Sequence, residues 1–211
     1  MDFPWVEFVT IVGAFGIGAV SPGPDFAMVL RQSIAHGRAT AIFTSAGVAS
    51  AILVHGVYTL LGLGLIISQS IVLFSVIKFA GAAYLIWLGF KAISAPPPVA
   101  PKDLERFAHE TMGPGKAFGV GFLTNLLNPK AALFFLALFS TLVSAATPML
   151  YKGIYFLSMA LLLFVWFTLV SLFFTTPKVR AGFYRMGVWF NRATGVALIL
   201  LALKLAVAQK E

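Results

Sequence analysis

Two short proline motifs hold the residues best suited to chemistry. Ser21-Pro22-Gly23-Pro24-Asp25 lies in an apolar stretch covering 8–30, and Asn128-Pro129-Lys130-Ala131 lies in one covering 117–144. Proline inside a helix removes a backbone hydrogen bond and clashes with the preceding turn. Ser21 before Pro22, and Asn128 before Pro129, each pair an N-cap residue type with a proline at the first helical position. Both stretches are therefore expected to break, with a new half-helix starting at the proline. Such a start exposes unpaired N–H groups and a partial positive charge. In a membrane these are tolerated only when buried in protein or lining a wet cavity, and they suit the binding of a carboxylate. One motif alone would read as a packing kink; two in corresponding places favour a site.

The charges sharpen that expectation. Asp25 is the only acidic residue within the apolar stretches, and Lys130 sits near the middle of the fourth. A bare charge at the bilayer centre costs about 2.5–3.5 kcal/mol on insertion scales, so the two are expected to face each other or a shared aqueous cavity. A zwitterionic amino acid would satisfy both, its ammonium near Asp25 and its carboxylate near Lys130 and the half-helix amides. A structural ion pair fixing the two halves is the competing reading. The expected substrate-binding set is Ser21, Pro22, Gly23, Pro24, Asp25, Asn128, Pro129 and Lys130, with Asp25 and His55 as candidates for proton coupling. His55 shares a helical face with Gly47 and Ala51 at i, i+4, i+8 spacing. A face of small residues argues for close helix packing, and a lone histidine there is more often a hydrogen-bonded packing residue than a relay. Lys78 lies roughly 10 Å along its helix from the outer end at 1.5 Å per residue, within snorkelling reach.

The elements that carry these residues follow from composition. The chain has 211 residues, 60% hydrophobic and 10% charged, with mean hydropathy +0.95. A soluble domain carries about 25% charged residues, so lipid is the expected solvent. The net charge of +8 is confined mainly to short polar gaps, with no basic helix or RNA-binding motif, which argues against nucleic acid. Cysteine is absent, which removes disulfides, thiolate metal sites, iron–sulfur clusters and cysteine nucleophiles. Asp2 and Glu7 stand where a signal peptide carries positive charge.

A spanning helix needs roughly 20 mostly apolar residues. Six stretches approach that length: 8–30, 41–67, 71–93, 117–144, 149–174 and about 187–208. Of the 15 Lys and Arg residues, ten (Arg31, Arg38, Lys91, Lys102, Arg106, Lys116, Lys178, Arg180, Arg185, Arg192) fall on one side of the resulting topology. Lys152, Lys204 and Lys210 fall on the other, and Lys78 and Lys130 within spans. The positive-inside bias puts both termini outside the cytoplasm. Residues 94–116, with Pro96, Pro97, Pro98 and Pro101 ahead of a charged stretch, read as a semi-rigid cytoplasmic linker. Phe15-Gly16-Ile17-Gly18 leads into the first proline motif, as Phe118-Gly119-Val120-Gly121 leads toward the second. The third span, from Gly81 to Gly89-Phe90-Lys91, is echoed in the sixth, from Gly195 to Ala202-Leu203-Lys204. The expected fold is an all-α integral membrane protein of six transmembrane helices, arranged as two inverted three-helix repeats over 1–93 and 117–211 with proline-interrupted first and fourth helices. Inverted repeats of this kind mark secondary transporters, with the site at the repeat interface.

These motifs resemble those of the lysine exporter (LysE/RhtB) family of bacterial amino-acid exporters. Ser21-Pro22-Gly23-Pro24-Asp25 resembles its Pro-Gly-Pro signature and Asn125-Leu126-Leu127-Asn128-Pro129-Lys130-Ala131 its second motif. Gly81-Ala82-Ala83-Tyr84-Leu85 with Gly89 is similar to its third-span pattern, and Asn191-Arg192 with Gly195 and Leu203-Lys204-Leu205 to its final span. The resemblance covers nearly the whole chain and departs from the family pattern at Ile52, where many relatives carry a polar or acidic residue. It implies a multi-pass transporter of the bacterial inner membrane, with both termini periplasmic on the charge count, that exports amino acids or their derivatives. The membrane potential or proton gradient would drive it, and no cofactor is required. A transporter of another small solute or cation is a rival, but no cysteine and three scattered histidines are poor ligands for a soft metal. An intramembrane enzyme would need a nucleophile–base pair or metal cluster, which one Asp and an isolated His do not supply. A non-transporting scaffold subunit would tolerate neutral replacement of Asp25 and Lys130. The many Gly and Ala positions permit contact between protomers in a homo-oligomer without demanding it.

Overall fold

The structure is a computed structural model, describing residues 2–21, 23–96, 112–174 and 176–207. Every regular element among them is a helix: α1 (Trp5–Val20), α2 (Pro24–Ala35), α3 (Arg38–Gln69), α4 (Ile71–Ile93), α5 (Pro114–Leu126), α6 (Pro129–Leu142), α7 (Met149–Phe173) and α8 (Pro177–Val207). Four contain a stretch long and apolar enough to cross a membrane alone: α3, α4, α7 and α8. The others are 16, 12, 13 and 14 residues long, short of the roughly 20 that a span requires. They come in two bent pairs: α1 meets α2 at 57° and α5 meets α6 at 59°, each across a break of no more than four residues. The protein thus has four to six candidate membrane spans. Most of the Pro-rich linker expected at 94–116 lies outside the described residues.

Local chemistry explains the boundaries. Pro24, Pro114, Pro129 and Pro177 all stand at helix starts, where a missing N–H costs nothing and φ is already set. Gly37, at φ +86°, makes the turn from α2 into α3, a left-handed conformation that glycine adopts without a Cβ clash. Ser70 is the single residue between α3 and α4, and its hydroxyl accepts a hydrogen bond from the Leu73 amide at 3.1 Å, capping the new helix. One boundary differs from expectation. Residues 177–186, expected as part of a connection, are the first turns of α8, because no proline follows Pro177 to stop a helix and basic side chains are good helix formers.

Each long helix buries one stripe and exposes another. On α7, Tyr155, Met159, Leu163, Phe167 and Val170 are buried at helical spacing, while Leu157, Leu161, Val165, Leu169 and Phe173 are exposed. An apolar outer face on this scale suits lipid rather than water. Inside, α3 packs against α5 and α7, and α4 against α8 and α6. The α3/α5 crossing brings backbone to backbone. A Cβ on Gly47 would strike the Phe118 carbonyl and come within 2.7 Å of the Phe122 amide, and one on Gly121 would strike Thr44. The small-residue face of Gly47, Ala51 and His55 is therefore a packing face. At the α4/α8 crossing, Gly89 and Gly195 meet in the same way.

Candidate functional site

The two breaks lie together. Asp25, in the first turn of α2, accepts hydrogen bonds on Oδ2 from the Asn125 side-chain amide at 3.0 Å and the Asn128 side-chain amide at 3.3 Å. Those two asparagines bracket the break between α5 and α6. Asn128 is the N-cap of α6, its Oδ1 accepting from the Lys130 amide at 3.0 Å, with Pro129 at the first helical position. That half of the expectation stands as drawn from the residue types.

The first break is one step displaced. Ser21 is the C-cap of α1, its amide donating to the Gly18 carbonyl at 3.2 Å, and α2 begins at Pro24 with Gly23 as N-cap. Ser21 does not cap the new helix and Pro22 does not start it; Pro22 itself lies outside the described residues. The reason is steric. A residue before proline is driven out of the α region, and Gly23 before Pro24 is extended at φ −161°, ψ −172°. The second proline therefore sets the start. Because Gly23 has no side chain, the N-cap position itself supplies no side-chain hydrogen bond to the leading amides of α2. Lys130 reaches this end: its Nζ lies 3.6 Å from where a Cβ on Gly23 would stand. The two motifs are thus crossed, with the acid of α2 turned to the α6 break and the base of α6 turned to the N-terminus of α2.

Ser21, Gly23, Pro24, Asp25, Asn128, Pro129 and Lys130 all line one cavity of about 600 Å³. Aromatic and aliphatic side chains, among them Phe15, Phe134, Phe135 and Phe167, form most of its wall, and it extends to Lys91, Ala95 and Pro96 at the C-terminal end of α4. Asp25 is the acidic residue among those lining it, with Lys91 and Lys130 as the bases. The second carboxylate oxygen of Asp25, Oδ1, is buried with no hydrogen-bond partner, as is Oδ1 of Asn125. A buried carboxylate oxygen left in this state costs free energy, and it is a ready acceptor for a cationic ligand. Among the described residues no group of three or more His, Cys, Asp or Glu could hold a metal ion.

His55 is outside the cavity lining and behind it. Fully buried, it stacks on Phe135 at 5.7 Å and 13°. Its Nε2 lies 3.2 Å from the Asn125 carbonyl, and a carbonyl only accepts, so Nε2 carries a proton. In the neutral ring Nδ1 then accepts from the Tyr58 hydroxyl, with which it is paired. His55 thereby holds the last turn of α5, and through it the amide that binds Asp25. Lys78 lies on α4, half-buried and away from the cavity lining. Residue types alone did not single out Asn125, Tyr58 or Lys91. Asn125 falls three residues before Asn128 in one motif, and that spacing was the signal available. The Lys91 ammonium sits over the Trp87 ring at 4.8 Å, a cation–π contact at the cavity's end.

Comparison with known proteins bears on what such a cavity is for. The threonine efflux protein of Escherichia coli (strain K12) is 29% identical over 211 residues, which cover 96% of this chain and 98% of that protein. The threonine efflux protein of Salmonella typhi is 30% identical with the same coverage. The homoserine/homoserine lactone efflux protein of Salmonella typhimurium is 36% identical over 132 residues, 63% of this chain and 62% of its own length. No solved structure matches. The profile of the LysE type translocators matches residues 16–209, from the middle of α1 past the end of α8. On a match of that extent, the chain belongs to the LysE type translocator family, whose members are transporters and not enzymes.

Proposed function

We propose that this protein exports amino acids or amino-acid derivatives across the bacterial inner membrane as a secondary transporter driven by the proton gradient. The observation that carries the reading is the crossed pair of breaks. Asp25, with one carboxylate oxygen left without a hydrogen-bond partner, lines one cavity together with Lys130 and with Gly23 and Pro24 at the start of α2. An amino acid is a cation and an anion two bonds apart. Its ammonium meets Asp25 Oδ1, and its carboxylate meets the Lys130 ammonium and the α2 amides, where the helix dipole adds a partial positive charge. The apolar wall receives the side chain. Because a proton and a substrate ammonium compete for the same carboxylate, Asp25 also serves as the exchange site for coupling. His55 has both ring nitrogens engaged, and we assign it to holding the α5 end rather than to carrying protons. The relatives being threonine and homoserine/homoserine lactone efflux proteins supports the substrate class.

In this reading each bent pair is one span, giving six spans in two repeats, 1–93 and 117–211, joined by the 94–116 linker and running through the membrane in opposite senses. The near-equal bends of 57° and 59° support it, as does the packing of α3 on α7 and α4 on α8, since each of these pairs joins an element to its repeat mate. The distribution of Lys and Arg supports termini on the periplasmic side.

The test is efflux of preloaded amino acids from vesicles. Asp25→Asn and Lys130→Met, each shown to be inserted and folded, are expected to lower the rate by about a hundredfold, the order that follows from losing a hydrogen-bonded charge contact of about 1.5–3 kcal/mol. Full efflux by both variants would mean that the two breaks are structural and that the substrate site is not the one assigned. A growth-protection screen against toxic levels of single amino acids and analogues identifies which one is exported.

A further inference from the structure

The densest polar cluster outside the cavity surrounds Glu7, in the first turn of α1. Its Oε1 accepts from the Thr147 hydroxyl at 2.8 Å and the Tyr155 hydroxyl at 2.9 Å, and its Oε2 from the Ser144 amide at 2.9 Å. One carboxylate thus ties α1 to the connection between α6 and α7 and to α7 itself. Tyr155 is completely buried. Around the cluster Phe3, Trp5, Phe8 and Tyr151 make edge-to-face contacts, from Phe3–Trp5 at 4.7 Å to Phe3–Phe8 at 5.4 Å.

The position of this cluster matters more than its strength. Glu7, Ile11, Ala14 and Gly18 follow one another at i, i+4, i+7 and i+11 on a single face of α1. Gly18 lines the cavity, whereas neither Glu7 nor any of its three partners does. The eleven residue steps from Glu7 to Gly18 correspond to about 16 Å of helix. Ile11 and Ala14, on that face of α1, are buried in one apolar core with Leu138, Phe139, Phe156 and Met159 of α6 and α7, where Phe139 and Phe156 stack at 4.3 Å. The cavity reaches the other way, to Lys91 and Pro96 at the end of α4. A transporter must close one side of its site before opening the other. Here the end of α1 away from the cavity is packed in that apolar core and held by a carboxylate that binds three donors on two elements.

We propose that Glu7 is the latch of this gate: its hydrogen bonds to Ser144, Thr147 and Tyr155 hold α1 against α7 while the cavity is open at the Lys91 end, and they part when the site turns to the opposite face. Glu7 is a positioning residue and does not touch substrate. The purpose of the gate rests on the export reading, but its test needs no substrate, so the two can fail separately.

The chain contains no cysteine, so single cysteines can be read cleanly with a membrane-impermeant maleimide in full-length protein reconstituted in vesicles. Ala145→Cys, exposed beside the latch, identifies vesicles that present this face outward. In that orientation the buried Ala14→Cys reports opening of the apolar core at α1. Ala41→Cys, fully buried at the start of α3, reports general loosening. With Glu7→Gln or Tyr155→Phe, labelling at Ala14→Cys is expected to rise by about tenfold, the order expected for one lost hydrogen bond to a charged group, while Ala41→Cys stays unreactive. Tyr155→Phe keeps the packed ring and serves if Glu7→Gln does not fold. No rise at Ala14→Cys, or an equal rise at both cysteines, overturns the latch.

Discussion

Asp25 has neighbours that constrain it in different ways. Asn125 and Asn128 fix Oδ2, and Oδ1 is left over. Replacing Asn125 by Ala removes the shorter of the two amide bonds. A hydrogen bond to a charged group contributes about 1.5–3 kcal/mol, so the carboxylate loses its fixed direction. Efflux by Asn125→Ala is expected to show a KM raised about tenfold or more, measured as initial rate against internal substrate concentration. His55→Phe keeps the stacking on Phe135 but drops the bond to the Asn125 carbonyl. It is expected to slow efflux far less than the roughly hundredfold loss expected of Asp25→Asn; a loss as large as that in a folded His55→Phe protein would return His55 to the proton-coupling candidates. Asp25 and Lys130 were legible in the sequence because charge inside an apolar run is expensive and needs a reason. Asn125 and Tyr58 were not, because uncharged polar residues carry a smaller penalty, and the partners of Asn125 lie far away in the chain. The Asn125–Asp25 bond, for instance, spans 100 residues.

At the scale of elements, the prolines announced both breaks and glycines the close crossings, but neither stated the register. Two prolines flank Gly23, and the choice of Pro24 over Pro22 as the helix start depends on the extended conformation forced on Gly23, which shifts the site by two residues. The α3/α5 crossing shows how much weight a single hydrogen atom in place of a methyl can carry. A Cβ on Gly47 would meet backbone atoms of Phe118 and Phe122, and backbone inside a packed helix pair cannot move aside cheaply. Gly47→Ala is expected to destabilise the protein by about 1–3 kcal/mol, as overpacked cores do, and to lower its thermal midpoint in detergent. Gly13→Ala is the matched control. A Cβ there meets nothing within 4 Å, and helix propensity favours alanine by roughly 0.8–1 kcal/mol, so stability should hold or rise. Equal behaviour of the two variants would mean that α3 and α5 are not in backbone contact.

For the whole molecule the open quantity is the number of crossings, because a 57° or 59° bend suits a broken span and a re-entrant loop alike. Length and composition made four spans legible and left two that turn on geometry. Charge supplies an independent constraint. Orientation follows the Lys and Arg flanking the spans, and with both bent pairs crossing, Arg31, Arg38, Lys91, Lys116, Lys178 and Arg185 all come to one side. If α5/α6 turned back instead, the charges after it, Lys178 and Arg185 among them, would move to the opposite face, and the bias would vanish. An even number of crossings alone does not separate six from four, so reporters are needed at more than one point. Alkaline phosphatase, active only outside the cytoplasm, is expected to work when fused after residue 211 and after residue 146, and to be silent when fused after residue 36, between residues 97 and 111, or after residue 176. Green fluorescent protein should give the complementary pattern. If residues 36 and 146 report the same side, at least one bent pair does not cross. The two breaks would then not meet from opposite faces, and the inverted-repeat arrangement would have to be given up.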